Sequence, residues 1–457
     1  MTLASMNPSG LFLRQPRLRR AAKTLAYLVA GGAFVGVGVL CWFANAPGPM
    51  DFAKGQRVSL AKFGEHITGA RSDLLVTDPV ERGRYLTQAA DCQACHTVEG
   101  GRPFAGGRPF KTQFGTLYSP NITPDAETGI GKWTDAQFIR AVHEGVGPGG
   151  KNLYPAFPYA SYTYLIDDDV LAIRAFLATL PPIRNIAPEN ELGFPFNQRA
   201  LMAVWRLMFN ANERFNPIAT NSATWNRGAY LVEGLAHCGD CHTPRNLFQA
   251  LDNGEKFSGA VADGWRAFNI TSDDVSGVGA WTDEQLATYL STAHVEGHGT
   301  ASGPMAEAID LSLSKLTASD ILSIVTYLKT VPGTSSPEMP ALKLKPAFPS
   351  TPPSEEPVGA RIYAGACASC HGFTGVSSLS QRASFIGARS INDPVALNVA
   401  QVILHGTGIA AAPGRLDMPR FGKSFSDSEI AAVSNYVTSR FGAKASQLTA
   451  DQVGALR

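Results

Sequence analysis

Apolar residues recur every three to four positions in three segments spread along the chain. These are LIDDDVLAIRAFLATL at 165–180, LTASDILSIVTYLKTV at 316–331 and FSDSEIAAVSNYVTS at 425–439. Each segment has Ser, Thr or Asp near its start and acidic residues in its first turn, which favour the beginning of a helix. Apolar residues at this spacing lie on one face of a helix. The pattern therefore predicts three amphipathic helices that each pack against a core.

A longer apolar run near the N-terminus has no charged residue. It reads TLAYLVAGGAFVGVGVLCWFANA at 24–46 and follows a basic segment, 1–23, without acidic residues. About 20 apolar residues in a helix cross a bilayer core of about 30 Å. The positive-inside rule then predicts a cytoplasmic N-terminus and a single-pass protein of the inner membrane, with its body on the periplasmic side. A cleaved signal peptide ending at Ala46 is the alternative, and it also exports the body.

The charge of the remaining chain argues against one class of partner. Five of the 39 basic residues lie in 1–23, so the other 34 stand against 38 acidic residues. A mildly acidic body without a long basic run does not favour binding to nucleic acid. The 45 glycines and 30 prolines predict many loops and turns.

Six of the seven cysteines occur in one repeated motif, Cys-x-x-Cys-His. The copies are CQACH at 92–96, CGDCH at 238–242 and CASCH at 367–371. Two thiols one helical turn apart can each join a vinyl group of a haem, and the adjacent His can bind the iron. A zinc site would need further Cys or His ligands, and plain disulfides would leave three adjacent histidines unexplained. The motifs predict three covalent haem c groups, held by Cys92, Cys95, Cys238, Cys241, Cys367 and Cys370, with proximal ligands His96, His242 and His371.

Sequence around the motifs is also repeated. Each motif follows a segment with a glycine: RGRYLTQAADCQACH, NRGAYLVEGLAHCGDCH and VGARIYAGACASCH. The first two repeats also share WTDAQF and WTDEQL. The arrangement resembles the class I cytochrome c fold, in which an N-terminal and a C-terminal helix cross beside the haem. The glycines that would allow this close approach, and their partners, are Gly83 with Phe176, Gly228 with Tyr327, and Gly359 with Tyr436.

We therefore expect an all-α protein of three tandem class I cytochrome c domains behind an N-terminal transmembrane helix. The expected segments are a cytoplasmic basic segment (1–23), a transmembrane anchor (24–46), a linker (47–75), domain 1 (76–182), an apolar connector (183–221), domain 2 (222–332), a Pro-rich linker (333–357), domain 3 (358–443) and a tail (444–457).

A methionine before the last helix commonly supplies the sixth iron ligand in such domains, and it raises the reduction potential. Met305 in SGPMAEAI and Met418 in RLDMPRFG occupy this place in the second and third repeats. In the first repeat, LYPAFPY carries Phe157 there. The first haem would then have either an open position or a ligand from the connector.

His143 is an alternative ligand for the first haem. His405 has a similar place in the third repeat, which already offers a methionine. The comparison favours a structural role for His143 at the end of a helix.

The connector contains the apolar segment FPFNQRALMAVWRLMFN at 194–210. In one interpretation it forms a helix that packs between haem domains. In the other it forms an interfacial helix near a quinone, with Trp205, Arg199 and Arg206 at the level of lipid headgroups.

Several longer segments carry a resemblance to a known family: RPFAGGRPFKTQFGTLYSPNITPDAETGIGKWT, LYPAFPY, FPFNQRALMAVWRLMF, WNRGAYLVEGLAHCGDCHTPRN and GPMAEAI. With the haem motifs, residues 76–440 resemble the cytochrome c subunit of bacterial membrane-bound periplasmic dehydrogenases, which oxidise alcohols, aldehydes or sugar acids. The resemblance implies electron transfer from a separate catalytic subunit to membrane ubiquinone. It carries iron ligation onto His96, His242, Met305, His371 and Met418.

The type of catalytic partner follows from finer features of the resemblance. Three features look closer to the cytochrome partners of molybdopterin aldehyde-type dehydrogenases than to those of quinoprotein (PQQ) or flavin (FAD) enzymes. They are Phe157 in place of Met and the segments NQRALMAVWRLMF and GPMAEAI. The resemblance implies a large catalytic subunit and allows for a small third subunit.

The residues alone leave two other functions possible for this chain. One is a haem enzyme that uses an open position at the first haem, and the other is an electron-donor subunit of a terminal oxidase. The sequence offers no dinucleotide fingerprint and no recognisable Ser/His/Asp arrangement, so substrate oxidation by this chain itself is not favoured.

Overall fold

A computed structural model describes residues 15–44, 78–347, 357–408 and 417–457 of the chain. Chain contacts divide it into two units, Met1–Pro47 and Gly48–Arg457. Three predicted features lie outside the described residues: Ala46 at the end of the alternative signal peptide, the linker 47–75 and the middle of the Pro-rich linker.

The first unit contains helix α1, from Gln15 to Ala44. It includes four basic residues at 17–23 and four glycines within 24–46, and glycine adds no apolar side chain. Within the described ranges, no helix combines the length and apolarity that a membrane crossing requires. The prediction of a transmembrane helix over 24–46 was therefore wrong, and the single-pass topology that depended on it loses its support.

Short helices and small antiparallel sheets make up the second unit. In the first repeat they are α2 (Pro79–Ala89), α3 (Cys92–Cys95), β1 (Pro109–Thr112), β2 (Gly115–Tyr118), α4 (Asp135–Glu144), α5 (Tyr159–Tyr162) and α6 (Asp167–Leu177). The connector contributes β3 (Glu191–Leu192) and α7 (Leu201–Phe209).

The second repeat contains α8 (Ala223–Ala229), a π-helical turn (Tyr230–Leu235), α9 (Gly239–His242), β4 (Ala260–Ala262), β5 (Trp265–Ala267), α10 (Asp283–Thr292), β6 (His294–Val295), β7 (Gly299–Thr300), α11 (Gly303–Leu311) and α12 (Ala318–Leu328). The third contains α13 (Val358–Ile362), a π-helical turn (Tyr363–Cys367), α14 (Ala368–His371), α15 (Arg389–Asn392), α16 (Leu397–His405) and α17 (Asp427–Phe441), and α18 (Ala450–Gly454) lies in the tail. Short 3₁₀ turns occupy Pro148–Gly150, Asn253–Glu255, Leu313–Lys315 and Gln381–Ala383.

The strands correct the all-α prediction. Strands β1 and β2 form a hairpin, and β3 of the connector pairs with β2 through Gly115 and Leu192. Gly115 has a φ of 125°, and a Cβ there would lie 2.0 Å from the Glu191 carbonyl oxygen. A residue with a side chain would not fit at this pairing, so glycine permits it. Two further hairpins, β4–β5 and β6–β7, occur in the second repeat.

The predicted helix crossings are confirmed. A Cβ on Gly83 would lie 1.8 Å from the Ala172 carbonyl oxygen and 3.0 Å from the Phe176 Cβ. The second and third repeats have the same close approach, where Gly228 meets Ser323 and Tyr327, and Gly359 meets Ala432 and Tyr436. In each repeat the absence of a side chain lets the helix before the haem motif touch the backbone of the last helix.

The shared WTDAQF and WTDEQL sequences begin helices. Thr134 caps α4, its hydroxyl accepting from the Gln137 N–H while the Gln137 side chain accepts from the Thr134 N–H. Thr282 and Gln285 form the same capping box at α10. Such reciprocal bonds satisfy N–H groups that the helix itself leaves unpaired.

The first two repeats share one apolar core. Leu86 and Val170 of the first repeat and Leu231 and Ile324 of the second belong to one continuous cluster of buried side chains. The third repeat has its own cluster, around Tyr363, Ile430 and Val437.

Two reciprocal hydrogen bonds lie in the shared core. Tyr85 of α2 donates to Asp320 of α12, and Tyr230 of the second repeat donates to Asp169 of α6. Each aspartate is also paired with an arginine of its own repeat, Arg227 with Asp320 and Arg82 with Asp169. The two repeats are thus joined by equivalent contacts that run in opposite directions.

Candidate haem sites

The three motif histidines have the same orientation. Their Nδ1 atoms lie 2.8 Å, 2.6 Å and 2.6 Å from backbone carbonyl oxygens, in the pairs His96–Pro120, His242–Phe268 and His371–Ala383. A carbonyl oxygen only accepts, so Nδ1 carries the proton and Nε2 keeps a lone pair for a metal. Burial lowers the pKa of all three imidazoles, which favours this neutral form. The orientation and protonation suit a proximal iron ligand.

The carbonyl partners of the first two histidines come from equivalent loops. In the first, the Asn121 side chain accepts from the Thr123 N–H at 2.9 Å and donates to the Ile183 carbonyl at 2.7 Å. Asn269 makes equivalent bonds in the second loop, to the Thr271 N–H and the Thr334 carbonyl. The sequence signal for these loops is the shared Asn-Ile-Thr after Pro120 and Phe268, whose link to the orientation of the histidines no local pattern shows.

The first cysteine of each motif packs against an apolar core. Burial raises the pKa of Cys92 and Cys238 to about 12 and that of Cys367 to about 11, so these thiols are uncharged. Zinc binds cysteine as the thiolate, and an apolar pocket with neutral thiols suits a flat apolar macrocycle better.

The third site brings its predicted residues together in one cavity. Cys367, Cys370, His371 and Met418 all line it. Its remaining wall is mostly apolar and includes Ile391, Val399, Val402, Ile403, Phe421 and Val437. The ring of Phe385 stacks on His371 at 4.4 Å between centroids. A cavity lined by two thiols, an imidazole, a thioether and apolar walls fits a haem.

At the second site, Met305 and His242 belong to helices that contact the same hairpin, α11 at β5 and α9 at β4. Helix α11 carries Met305 and contacts β5. Gly303 at its start has a φ of 55°, and a Cβ there would lie 2.5 Å from the Trp265 ring. The Phe268 carbonyl that holds His242 directly follows β5. These contacts place Met305, the predicted sixth ligand, beside the strand that leads to the carbonyl partner of His242, the predicted proximal ligand.

Phe157 lies against the shared core of the first two repeats. Its ring packs on Tyr162 at 5.5 Å, and the Tyr162 hydroxyl donates to the Ala90 carbonyl just before the first motif. The first repeat therefore places an aromatic ring where the comparison of repeats expects methionine.

His143 lies elsewhere in the first repeat. It is fully buried, with Nδ1 3.6 Å from Asp167 Oδ1 at the start of α6, and the connector's Asn210 side chain donates to its carbonyl. Burial lowers the pKa of His143 to about 2, so the ring is neutral. Its neighbours are those of a packing residue between α4, α6 and the connector.

The first two sites are linked by contacts in both directions. Arg108 of the first repeat donates to Glu307 of α11 at 2.6 and 2.8 Å, and also to the Ala94 carbonyl within the first motif. In the opposite direction, Ser161 of α5 donates to Asp240 of the second motif at 2.9 Å. The segment after each predicted sixth-ligand position thus touches the attachment motif of the other repeat.

The third site borders the second repeat. Thr300, Ala301 and Ser302 line its cavity, and they come directly before α11. The Thr300 hydroxyl also donates to the Arg382 carbonyl at 2.9 Å. One segment of the second repeat therefore both closes the third cavity and leads to Met305.

Comparison with known families agrees with these sites. Residues 80–181 match the family described as cytochrome c, and residues 355–437 match the family described as cytochrome C oxidase, cbb3-type, subunit III.

Comparison with individual proteins extends the similarity over most of the chain. It is 37% identical to the fructose dehydrogenase cytochrome subunit of Gluconobacter japonicus, over 83% of this chain and 82% of that protein. It is also 37% identical to the gluconate 2-dehydrogenase cytochrome c subunit of Pantoea cypripedii, over 83% of this chain and 89% of that protein. A nicotinate dehydrogenase subunit of Pseudomonas putida is 41% identical over 88% of this chain, which spans only 34% of that relative. The chain therefore belongs to the family of c-type cytochrome subunits of dehydrogenases, which transfer electrons while a partner subunit oxidises the substrate.

Proposed function

We propose that this chain binds three haem c groups and carries electrons from a dehydrogenase catalytic subunit to membrane ubiquinone on the periplasmic side of the inner membrane. The observation that supports it best is the identical hydrogen bond at all three motif histidines. One such bond could be a local feature of packing. The same bond in three repeats, each after two cysteines, supports three sites of one chemical type.

Each repeat would hold its haem with residues of its own motif. Bound haem iron supplies reversible one-electron chemistry. Cys92 and Cys95 would form the thioethers of the first site, and the Pro120 carbonyl would keep His96 aimed at the iron. The other thioether pairs are Cys238 with Cys241 and Cys367 with Cys370, with His242 and His371 as proximal ligands.

The distal residues would make the sites unequal. Met305 and Met418 would each present a thioether, which favours ferrous iron and raises the potential. Phe157 has no donor atom, so the first site would have a lower potential than the other two.

The proposed partner is a large catalytic subunit of the molybdopterin aldehyde type. The support is the Phe157 position and the NQRALMAVWRLMF and GPMAEAI segments. The names of the relatives span nicotinate, fructose, gluconate and alcohol dehydrogenases, so the substrate class varies among similar cytochromes.

Purification from native membranes tests the proposal. We expect a large dehydrogenase subunit to copurify, and a pyridine haemochrome assay to give three haems per chain. Replacing Cys238 and Cys241 with Ala should leave two, whereas Cys41→Ala should leave three. A value of one or two for the unaltered protein would contradict the haem count, and a copurifying enzyme with PQQ or FAD would contradict the partner type.

The match of residues 355–437 to a cytochrome oxidase subunit supports a second candidate, an electron-donor subunit of a terminal oxidase. The match covers only the third repeat and its approach. Copurification with an oxidase in place of a dehydrogenase would favour this function.

A further inference from the structure

Helix α7 of the connector has one packed face and one exposed apolar face. Trp205 is 8% exposed and packs on Tyr159, with ring centroids 5.8 Å apart. Leu201, Val204 and Leu207, at a spacing of three, are 43%, 54% and 83% exposed. A surface helix ordinarily turns polar residues to solvent, so three exposed aliphatic side chains in register form an unusual surface.

Two further apolar side chains near α7 in the chain or in its contacts are exposed. The Trp205 Nε1 donates to the Phe248 carbonyl at 2.8 Å, and Leu247, which precedes Phe248, is 90% exposed. Just before the helix, Phe194 is 82% exposed. We call Leu201, Val204 and Leu207 the apolar face.

Basic side chains accompany the apolar face. Arg206 donates to the Asn152 side chain at 3.1 Å, and Arg199 donates to the Asn152 carbonyl at 3.0 Å. Lys151 precedes them in the same loop and is exposed. None of the three cations forms an ion pair with a residue in the described ranges.

The chain segments that build this region contain no acidic residue. Residues 145–160 and 192–212 carry one lysine and two arginines and neither Asp nor Glu. The chain after residue 23 is mildly acidic as a whole, so this region differs from its surroundings in charge as well as in exposed apolar area. Glu191 lies just outside it, on β3.

We propose that the apolar face and its basic residues dock on the surface of a bilayer that contains anionic lipid. The aliphatic side chains would enter the boundary between headgroups and acyl chains, while Lys151, Arg199 and Arg206 would face the phosphates. A bilayer surface with anionic lipid binds exposed apolar side chains that lie beside basic ones. The attachment is peripheral, requires no spanning helix and is independent of the number of haems.

A label at the most exposed position of the apolar face tests the proposal. In full-length protein with Cys41 replaced by Ser, Leu207→Cys would carry a polarity-sensitive fluorophore. The matched control is Leu379→Cys, because Leu379 is 62% exposed but lies in the third repeat. With vesicles that contain phosphatidylglycerol, we expect a blue shift at 207 and none at 379. Phosphatidylcholine vesicles should give a much smaller shift.

Two pairs of substitutions separate the electrostatic contribution to docking from the apolar contribution. Lys151→Gln with Arg206→Gln should weaken the shift at low salt at least several-fold, and Leu201→Asn with Val204→Asn should abolish it at any salt. No shift at 207, or equal shifts at 207 and 379, would overturn the proposal. A shift that occurs only with the purified catalytic subunit would also overturn it and would identify the face as a protein interface.

Discussion

The Tyr85 hydroxyl donates to Asp320 Oδ2 at 2.6 Å across the contact between the first two repeats. The equivalent bond, from Tyr230 to Asp169, has a length of 2.7 Å. Both aspartates are buried and lie in the first turn of the last helix of their repeat. A buried charge is stable only when it is paired, so each repeat completes the pairing of the other.

Tyr85→Phe should therefore lower the free energy of unfolding by about 1–3 kcal/mol. The substitution removes a bond to buried Asp320 and leaves the Thr317 N–H without the hydroxyl that accepts from it at 3.1 Å. Tyr118→Phe is the control, since its hydroxyl contacts Glu191 at the surface. Equilibrium unfolding in urea measures the free energy of unfolding of both variants. Equal losses would show that the buried hydrogen bond stabilises the protein no more than the exposed one.

The buried pair of Lys256 and Glu233 gives a second prediction. The two side chains are 5% and 4% exposed, and the Tyr327 hydroxyl also donates to Glu233 at 2.6 Å. Lys256→Met should cost about 3–5 kcal/mol because it leaves an uncompensated carboxylate. Adding Glu233→Gln should recover most of the loss. Arg84→Met, which breaks an exposed pair with Glu81, should cost less than about 1 kcal/mol.

The same variant should show a defined dependence on pH. Burial raises the pKa of Glu233 even beside Lys256. A carboxyl whose folded pKa is raised favours the folded state below its unfolded pKa, and this contribution is lost as the pH rises through the folded pKa. The destabilisation by Lys256→Met should therefore grow as the pH rises from about 5 to about 8. A constant difference from the unaltered protein over that range would contradict the explanation.

Asp125 and Asp273 should give the stability of the protein the opposite dependence on pH. The Thr128 N–H and hydroxyl lower the pKa of Asp125, and Ser276 does the same for Asp273. Their stabilising contribution is present above the unfolded carboxyl pKa and is lost as the pH falls through the lowered one. Asp125→Asn with Asp273→Asn should thus destabilise the protein near pH ~6 and have little effect near pH ~2. Exposed Asp274→Asn is the control at both values.

The distal residues can be compared in one spectroscopic series. Met305→Ala and Met418→Ala should each remove Met ligation from one haem and lower its reduction potential, whereas Phe157→Ala should leave the number of Met-ligated haems unchanged. Redox titration with optical and paramagnetic resonance spectra measures both quantities. Three equivalent Met-ligated haems in the unaltered protein would refute the unequal sites.

Local sequence predicted the helix crossings well, because glycine at 83, 228 and 359 matches a contact that only hydrogen can occupy. It did not reveal which carbonyl groups orient the motif histidines, since these lie 12 to 26 residues further along the chain. The β3 pairing at Gly115 was missed because it joins residues more than 70 positions apart, which no local pattern reveals. The transmembrane helix predicted over 24–46 was wrong, because no helix within the described ranges combines the length and apolarity that a membrane crossing requires.

The connector shows a further limit of sequence reasoning. Its apolar residues suggested either packing between repeats or an interfacial helix, as if one excluded the other. The structure buries Trp205 and exposes Leu207 on the same helix. Which apolar residues meet the core depends on Tyr159 and Ala250, which lie about 45 residues to either side in sequence.

The hydrogen bonds from Tyr85 to Asp320 and from Tyr230 to Asp169 also restrict which repeat can replace another. When the crossing glycines are aligned, the third repeat has Val358 where the others have the paired arginine, and Arg361 where they have the tyrosine. Moved into either of the first two places, it would leave its neighbour's aspartate without a hydroxyl donor and bring valine to the position from which an arginine pairs with the aspartate of its own repeat. The first two repeats are therefore complementary halves that have to change together, whereas this pairing places no such constraint on the third.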